Sequence, residues 1–280
     1  MNLRAKVCNL DKSGNVIEAF AEDILGMPYQ IVVVPDYASN EGFTPGNLYI
    51  TFIRSIAGIN SSILVEFTPE GKFVRKITGG NDFFSRLTST HSLAFTPHGS
   101  LLAAGHGLLE FTAGGSVIRR LSPDNSMHVA VNSEGVIYQQ LHSGLGTSIK
   151  VLEKDGTLTG LFPPTEPGES YGSMAFTSTG VMAVVLRLAN QCYIQLYTSE
   201  GSYLNRFSIS GIVEHPEECF HHIQIAAWEH IFVPSPLDWD IKVFTLDGTL
   251  LRRIDLKGAL IPIGITLSSD GGMCVCGLRP

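Results

Sequence analysis

One short pattern recurs through the sequence: an alternating apolar segment, a turn of the Asp-Gly type and a second alternating segment. The clearest copy is IKVFTLDGTLLRRI at 241–254. Related copies lie at 63–77, 108–121, 149–162 and 194–207, and a degenerate one lies at 7–20. Alternation on both sides of a tight glycine turn is typical of a β-hairpin. The recurrence therefore predicts an all-β chain built from six related units.

The spacing of the turn glycines predicts how these units are arranged. The glycines are Gly14, Gly71, Gly115, Gly156, Gly201 and Gly248, and successive ones lie 57, 44, 41, 45 and 47 residues apart. Thirty-two residues follow Gly248, and Gly14 is the fourteenth residue of the chain. Together they make a sixth interval of 46 residues, so the repeat would close into a ring. A repeat of about 40–45 residues made of short strands is the signature of a propeller blade. We therefore predict a six-bladed β-propeller.

A second repeat supplies the inner strands. Its six copies are QIVV (30–33), SLAF (92–95), HVAV (128–131), SMAF (173–176), HIQI (222–225) and GITL (264–267). The second and fourth positions are apolar and are expected to pack between blades, because alternate residues of a strand face opposite sides. The first and third positions, mostly small or polar, are expected to line a central channel. We call the first position the first channel position.

These elements predict a single propeller domain over 1–280, with four antiparallel strands in each blade. The blades are predicted at about 21–77, 78–121, 122–162, 163–207 and 208–254, and the last joins 255–280 to 1–20. The N-terminal hairpin would thus close the ring and leave no long open sheet edge. The long first gap predicts an insertion, part of which, at 36–45, is expected to be dispensable for any site.

The repeat units resemble NHL repeats, whose blades carry the pattern xIxVFxxDGxxLxxF; IKVFTLDGTLLRRI is the nearest copy here. The resemblance covers about 250 residues. It implies a propeller fold and leaves function open, because propellers of this kind serve as enzymes, sensors and scaffolds.

One end of the predicted ring concentrates unusual side chains. It is the end where connections lead into the innermost strands, and we call it the histidine end; the opposite end, with the Asp-Gly turns, is the turn end. The residues expected there, around a substrate-binding pocket, are Tyr29, Gln30, His91, His106, His142, His221 and Trp239. Seven of the nine histidines are expected at this end, and His98 and His230 at the other.

His128 and His222 carry the sharpest hypothesis, because both occupy the first channel position, two blades apart. Gln30 takes that position in blade 1, which gives a trio with approximate threefold spacing. Three interpretations are open: a bound divalent metal such as Zn²⁺ held by His128 and His222, a polar pocket without metal or any other cofactor, or a structural hydrogen-bonded plug. In a water-filled channel, truncating either histidine is expected to leave stability nearly unchanged.

Two functional classes follow. In the first, the two histidines act as acid and base in lyase, cyclase or isomerase chemistry on a small organic or peptide-like substrate. By resemblance, the peptide amidating lyase combines channel histidines with a Tyr and an Arg, which would make Tyr171 and Arg187 catalytic here. In the second, the propeller is a scaffold that binds a protein or peptide through its loops.

Composition excludes other partners. The net charge is −7, and no Lys/Arg cluster exceeds two adjacent residues, which argues against nucleic acid and an anionic membrane. No apolar run is long enough to span a membrane, and no signal-peptide segment is evident, so a cytoplasmic location is expected. The five cysteines are an odd, scattered set, and all are expected to be reduced thiols.

Overall fold

The computed structural model describes residues 4–22, 24, 26–56, 59–77, 90–141, 147–162, 168–188, 191–209, 222–268 and 271–279. These residues form six four-stranded antiparallel sheets arranged as the blades of a propeller, as the glycine spacing predicts. The described helical structure is one short 3₁₀ segment, Asp36–Glu41. Nothing helical in the described part of the chain has the length and apolar character needed to cross a membrane.

The strands of the first half are β1 (Ala5–Leu10), β2 (Val16–Phe20), β3 (Met27–Val33), β4 (Leu48–Ile56), β5 (Ile59–Phe67), β6 (Phe73–Ile77), β7 (Ser92–Phe95), β8 (Leu101–Gly105), β9 (Gly107–Phe111), β10 (Val117–Ser122), β11 (Ser126–Val131) and β12 (Ile137–Leu141). Those of the second half are β13 (Ile149–Leu152), β14 (Leu158–Phe162), β15 (Glu169–Phe176), β16 (Met182–Leu188), β17 (Gln191–Tyr197), β18 (Tyr203–Ser208), β19 (Gln224–Ile225), β20 (Ile231–Ser235), β21 (Asp240–Phe244), β22 (Leu250–Asp255), β23 (Ile261–Leu267) and β24 (Met273–Leu278).

Blades 1 to 5 each use four consecutive strands, from β3–β6 through β19–β22, with the first of the four innermost. Blade 6 joins the two ends of the chain in the order β23, β24, β1, β2. Strand β1 pairs antiparallel with β24 in a continuous register from Ala5 opposite Leu278 to Leu10 opposite Met273. The predicted closure of the ring by the N-terminal hairpin is confirmed.

Apolar layers between neighbouring blades make up the core. The second residues of the inner repeat all belong to these layers and are buried; they are Ile31, Leu93, Val129, Met174, Ile223 and Ile265. The predicted burial of the second position is confirmed. The alternation is incomplete, because the third-position residues Val32, Ala130 and Ala175 also belong to these layers.

The structure explains why the hairpin pattern repeats so closely. Each turn glycine adopts a left-handed backbone, with φ between +74° and +92°, and lies against the last large apolar residue of the preceding blade's outer strand. The six contacts are Gly14 with Ile254, Gly71 with Phe20, Gly115 with Ile77, Gly156 with Leu121, Gly201 with Phe162, and Gly248 with Phe207. The glycine and the final apolar residue of the pattern are therefore two halves of one contact between blades.

Replacing Gly248 by alanine is expected to destabilise the protein by about 2–5 kcal/mol, measured by urea unfolding. A Cβ there would lie 2.5 Å from Cγ of Phe207. The cost adds a left-handed backbone strain of about 1–2 kcal/mol to overpacking of about 1–3 kcal/mol. Gly258→Ala is the control, because Gly258 has φ +80° but no atom of the described residues lies within 4 Å of the place that its Cβ would take. Equal losses at the two sites would contradict the contact between blades.

The expectation that 36–45 is dispensable is wrong. Ala38 and Phe43 are buried in the apolar layer between blades 1 and 2, and the Phe43 ring centroid lies 5.2 Å from that of Phe95. Tyr37, on the 3₁₀ segment, lines the central channel near the turn end. Shortening this segment would therefore open the core as well as the channel.

Candidate active site

The innermost strands enclose a central cavity of about 270 Å³. Side chains at the first channel position line it in five blades: Gln30, Ser92, His128, Ser173 and His222. Small or polar residues at the third position, such as Ala94, Ala130 and Thr266, continue the wall towards the turn end. The predicted channel and its register are therefore present.

A β-bulge precedes the first channel position in several inner strands. The pairing register shifts between Pro28 and Gln30 in β3, between Ser126 and His128 in β11, and between Pro262 and Gly264 in β23. Strand β15 has a similar shift between Tyr171 and Met174. A bulge re-aims side chains and ends strict alternation. At the histidine end of the channel, strict alternation therefore no longer predicts which way a side chain points.

Three of the five lining side chains join neighbouring blades through hydrogen bonds. The Ser92 hydroxyl accepts a hydrogen bond from the Val129 amide at 3.1 Å, and the Ser173 hydroxyl accepts one from Ile223 at 3.0 Å. The Gln30 carbonyl oxygen accepts one from the Leu93 amide. Each bond runs from a first channel position to the next blade, which supports the structural-plug interpretation for these three residues.

The two histidines contact each other across the channel. The ring centroids of His128 and His222 lie 4.8 Å apart, edge to face at 70°. Tyr29 lies 5.3 Å from His222 and 5.0 Å from His91, so four rings form a continuous cluster. His128 is 1% exposed and His222 is 2% exposed. The cluster therefore brings four proton-carrying rings together at the channel, of which His128 and His222 are buried and Tyr29 and His91 are half-buried.

Burial raises the pKa of the Tyr29 phenol to about 12, so this side chain stays protonated well above neutral pH. Its position follows the bulge in β3, which places the ring beside the imidazoles. Sequence reasoning named Tyr29 as a pocket wall but gave no reason to place it between two histidines.

Other predicted site residues lie elsewhere. Tyr171 is buried in the apolar layer between blades 3 and 4, with its hydroxyl 3.4 Å from that of Tyr197. The structure therefore does not bring Tyr171 to the histidine pair. By strict alternation Tyr171 would share the channel side of Ser173, but the bulge in β15 separates their directions.

The remaining three described candidates also fall outside the channel lining. Arg187 is half-buried near the end of β16. His106 is exposed, and its Nδ1 lies 3.1 Å from Oδ1 of Asn125. Trp239 is half-buried with a left-handed backbone at φ +60°, and its carbonyl accepts a hydrogen bond from the Leu256 amide at 2.8 Å. Their predicted roles in a shared pocket stay predictions.

Two predicted site residues, His142 and His221, lie outside the described residues. So do the segments 78–89, 142–146, 163–167 and 210–221. The predicted place of His142 and His221 in the pocket therefore stays a prediction.

Among the described residues, no group of three or more His, Cys, Asp or Glu side chains is placed to hold an ion. The third member of the predicted trio, Gln30, uses its carbonyl oxygen on the Leu93 amide. A divalent metal held by His128 and His222 stays a prediction.

The cysteines differ from expectation at one position. Cys192 is disulfide-bonded, so the expectation that all five are reduced is wrong. Cys8, Cys274 and Cys276 are free and buried, and burial raises the pKa of Cys8 to about 11 and that of Cys276 to about 12. Because structural disulfides are typical of oxidising compartments, the cysteines do not support the cytoplasmic location, which stays a prediction.

Sequence reasoning missed a buried ion cluster in blade 5. The fully buried ammonium of Lys242 lies 3.2 Å from Asp240 Oδ1 and 2.9 Å from the Ser235 hydroxyl, and it pairs with Asp238. Burial raises the pKa of Asp240, whereas for Asp238 the hydrogen bonds from Lys242 and Ser235 outweigh burial and lower the pKa. In the sequence, the alternation of DIKVF places Lys242 on the side of the strand opposite to buried Ile241, and this was the available indication of the cluster.

No protein-family model matches this sequence, and no curated protein matches it either, so the NHL family is not confirmed. Solved structures do match in fold. A streptogramin B lyase structure is 15% identical with a TM-score of 0.58, over 100% of this chain and 99% of that one. A catalytically inactive histidine-to-alanine variant of virginiamycin B lyase from Staphylococcus aureus, with quinupristin, is 12% identical with a TM-score of 0.57 over 99% of each.

A chain in a nidogen/laminin complex is 9% identical with a TM-score of 0.65, and the match covers 94% of this chain and 97% of that one. At these identities the likeness shows the fold alone. The same fold thus includes chains from lyases and from a nidogen/laminin complex.

Proposed function

We propose that this propeller is an enzyme that performs proton-transfer chemistry of the lyase, cyclase or isomerase kind at the His128–His222 pair. The substrate is a small organic or peptide-like molecule. The observation that carries the proposal is the 4.8 Å contact between the two rings inside the channel. Imidazole titrates near neutral pH, so one ring can accept a proton while the other donates one.

The surroundings of the pair support this assignment. Tyr29 and His91 extend the ring cluster, which gives the site a further neutral donor and a further imidazole. Gln30, Ser92 and Ser173 fix the neighbouring backbone through hydrogen bonds, so the histidines sit on a rigid base. The proposal assigns proton transfer to the imidazoles themselves and uses no metal.

The fold comparison adds a second line of support. In virginiamycin B lyase, replacing one histidine by alanine gives the catalytically inactive protein that was studied with quinupristin. A histidine-dependent reaction on a peptide-like molecule is therefore compatible with this fold. Quinupristin is the natural first probe for this chain.

The test is mass spectrometry of the reaction product. Incubation with quinupristin should give a product of unchanged mass, because elimination that opens a ring or an isomerisation adds no atoms, whereas hydrolysis would add one water. A product heavier by one water, or product formed at an equal rate by a variant that lacks both imidazoles, would contradict the proposed chemistry.

A further inference from the structure

The repeats differ from one another at one instructive place on the outer strands. In blades 1, 2 and 5 an arginine reaches from the fourth strand to the next blade. There its guanidinium donates to the carbonyl of the second residue in the hairpin turn. The three pairs are Arg75 with Ala113, Arg119 with Lys154 at 2.7 Å, and Arg252 with Lys12 at 3.0 Å. A guanidinium lying between blades is thus a recurring part of this fold.

Blade 3 has Gly160 at that place. Gly160 pairs with Val151, as Arg252 pairs with Val243 in blade 5. No left-handed backbone requires a glycine here, and a Cβ would make only an ordinary 3.5 Å contact with Val151. The missing side chain is therefore not imposed by the local backbone.

A groove of about 650 Å³ opens between blades 3 and 4, where that guanidinium would lie. Its walls are four tyrosines and a phenylalanine: Tyr138, Phe162, Tyr171, Tyr197 and Tyr203. Tyr138 corresponds to Tyr49 of blade 1, whose hydroxyl accepts a hydrogen bond from Arg75. Tyr138 thus keeps the place of that aromatic partner, and its hydroxyl donates at 3.2 Å to the carbonyl of Ser199, the turn residue that would accept from a guanidinium here.

The electrostatics of the groove favour a cation. Tyrosine rings are neutral at neutral pH, and Tyr203 of the lining is 59% exposed, so its ring is accessible to a ligand. Glu200 is the charged residue among the described residues of the lining, and hydrogen bonds from Ser199 and Thr198 lower its pKa. Aromatic faces beside an ionised carboxylate attract guanidinium and ammonium groups.

We propose that this groove binds a guanidinium-bearing ligand from outside the chain, in the place that blades 1, 2 and 5 fill with their own arginine. The planar guanidinium stacks on the exposed ring of Tyr203 and pairs with Glu200. The site is separate from the channel and does not rest on the enzyme proposal. The guanidinium can belong to a small molecule such as agmatine or to an arginine within a peptide.

The primary test is calorimetric titration of the intact protein with N-acetyl-arginine amide. Saturable binding is expected, and the uncharged isostere N-acetyl-citrulline amide should bind at least about tenfold more weakly, because it lacks the cation–π attraction. Agmatine and a Gly-Arg-Gly peptide are titrated in the same way. Tighter binding of agmatine identifies a small molecule as the source of the guanidinium, and tighter binding of Gly-Arg-Gly identifies a peptide. No saturable binding, or equal binding of the citrulline probe, would overturn the proposal.

The matched variants use the chain's own repeat. Gly160→Arg should place an internal guanidinium in the groove and abolish binding, without lowering the unfolding midpoint. Gly160→Ala, which adds only a methyl group, should retain binding. Binding that survives Gly160→Arg in a folded protein would reject the site.

A second pair of variants covers the case in which Gly160→Arg does not fold. Tyr203 is 59% exposed, so Tyr203→Ala should leave folding intact and weaken binding about 2- to 30-fold, the range expected for one cation–π contact. Glu200→Gln should weaken arginine binding and leave citrulline binding unchanged. Unchanged arginine binding in both variants would place the ligand elsewhere.

Discussion

Replacing His128 or His222 by phenylalanine is expected to lower turnover of the reacting probe by about 10²–10⁴-fold, the usual contribution of a positioned acid or base. Phenylalanine keeps an aromatic ring in the 4.8 Å edge-to-face contact and removes both ring nitrogens. The variants should therefore retain most of their stability while losing proton transfer. The measurement is kcat by product formation, alongside urea unfolding of each variant.

Phenylalanine is preferred to alanine because the two histidines are buried. A water-filled channel would let alanine variants keep their stability, but exposures of 1% and 2% mean that truncation leaves a cavity. We expect His128→Ala to cost about 2–4 kcal/mol, as large-to-small changes in a packed site do. This expected loss of stability replaces the earlier expectation, based on a water-filled channel, that truncating either histidine would leave stability nearly unchanged.

The alanine cavity makes a second readout available. Free imidazole added to His128→Ala should restore part of the lost turnover, because it can occupy the vacated volume and carry the proton. A histidine that served only packing would show no such rescue. His98→Ala is the control, because His98 is exposed in a turn at the opposite end and should leave kcat unchanged. Equal losses of kcat at His98 and His128 would contradict a site in the channel.

The architecture was predictable because it follows from two periods. The spacing of the turn glycines sets six blades, and the alternation of the inner repeat sets which side chains face the channel. Both periods depend on local residue patterns that recur in each copy of the repeat. The ring closure is a consequence of the same count, since β1 and β2 occur at one end of the chain and β23 and β24 at the other.

The content of the site was less predictable because it depends on distances between blades. Gln30, Ser92 and His128 share a register, but only the neighbouring backbone decides that Ser92 bonds to Val129. Bulges are equally hidden: the shift in β15 turns Tyr171 away from the channel. Gly160 is evident in the sequence, but its significance depends on the arginines that span the corresponding gap between blades from blades 1, 2 and 5.

Deleting residues 1–20 is expected to abolish cooperative folding. The deletion removes β1 and β2, so β24 loses the partner to which it is paired from Leu278 to Met273. It also opens two apolar layers at once, because Val7 and Phe20 pack towards blade 1 while Leu10 packs towards blade 5. Burial of each large apolar side chain is worth about 1.5–3 kcal/mol, so the loss is comparable to the whole stability of about 5–15 kcal/mol.

The measurements are size-exclusion chromatography and thermal unfolding of the shortened protein, which should aggregate through the exposed edge of β24. Adding a peptide of residues 4–22 in trans should recover a monomeric, cooperatively unfolding species, because the peptide restores both the strand pairing and the contact between Phe20 and the glycine turn at Gly71. A peptide with Phe20 changed to Asp should not, since its charge would lie in the apolar layer. A shortened protein that remains monomeric with the full-length Tm would show that the ring closes without its N-terminal hairpin.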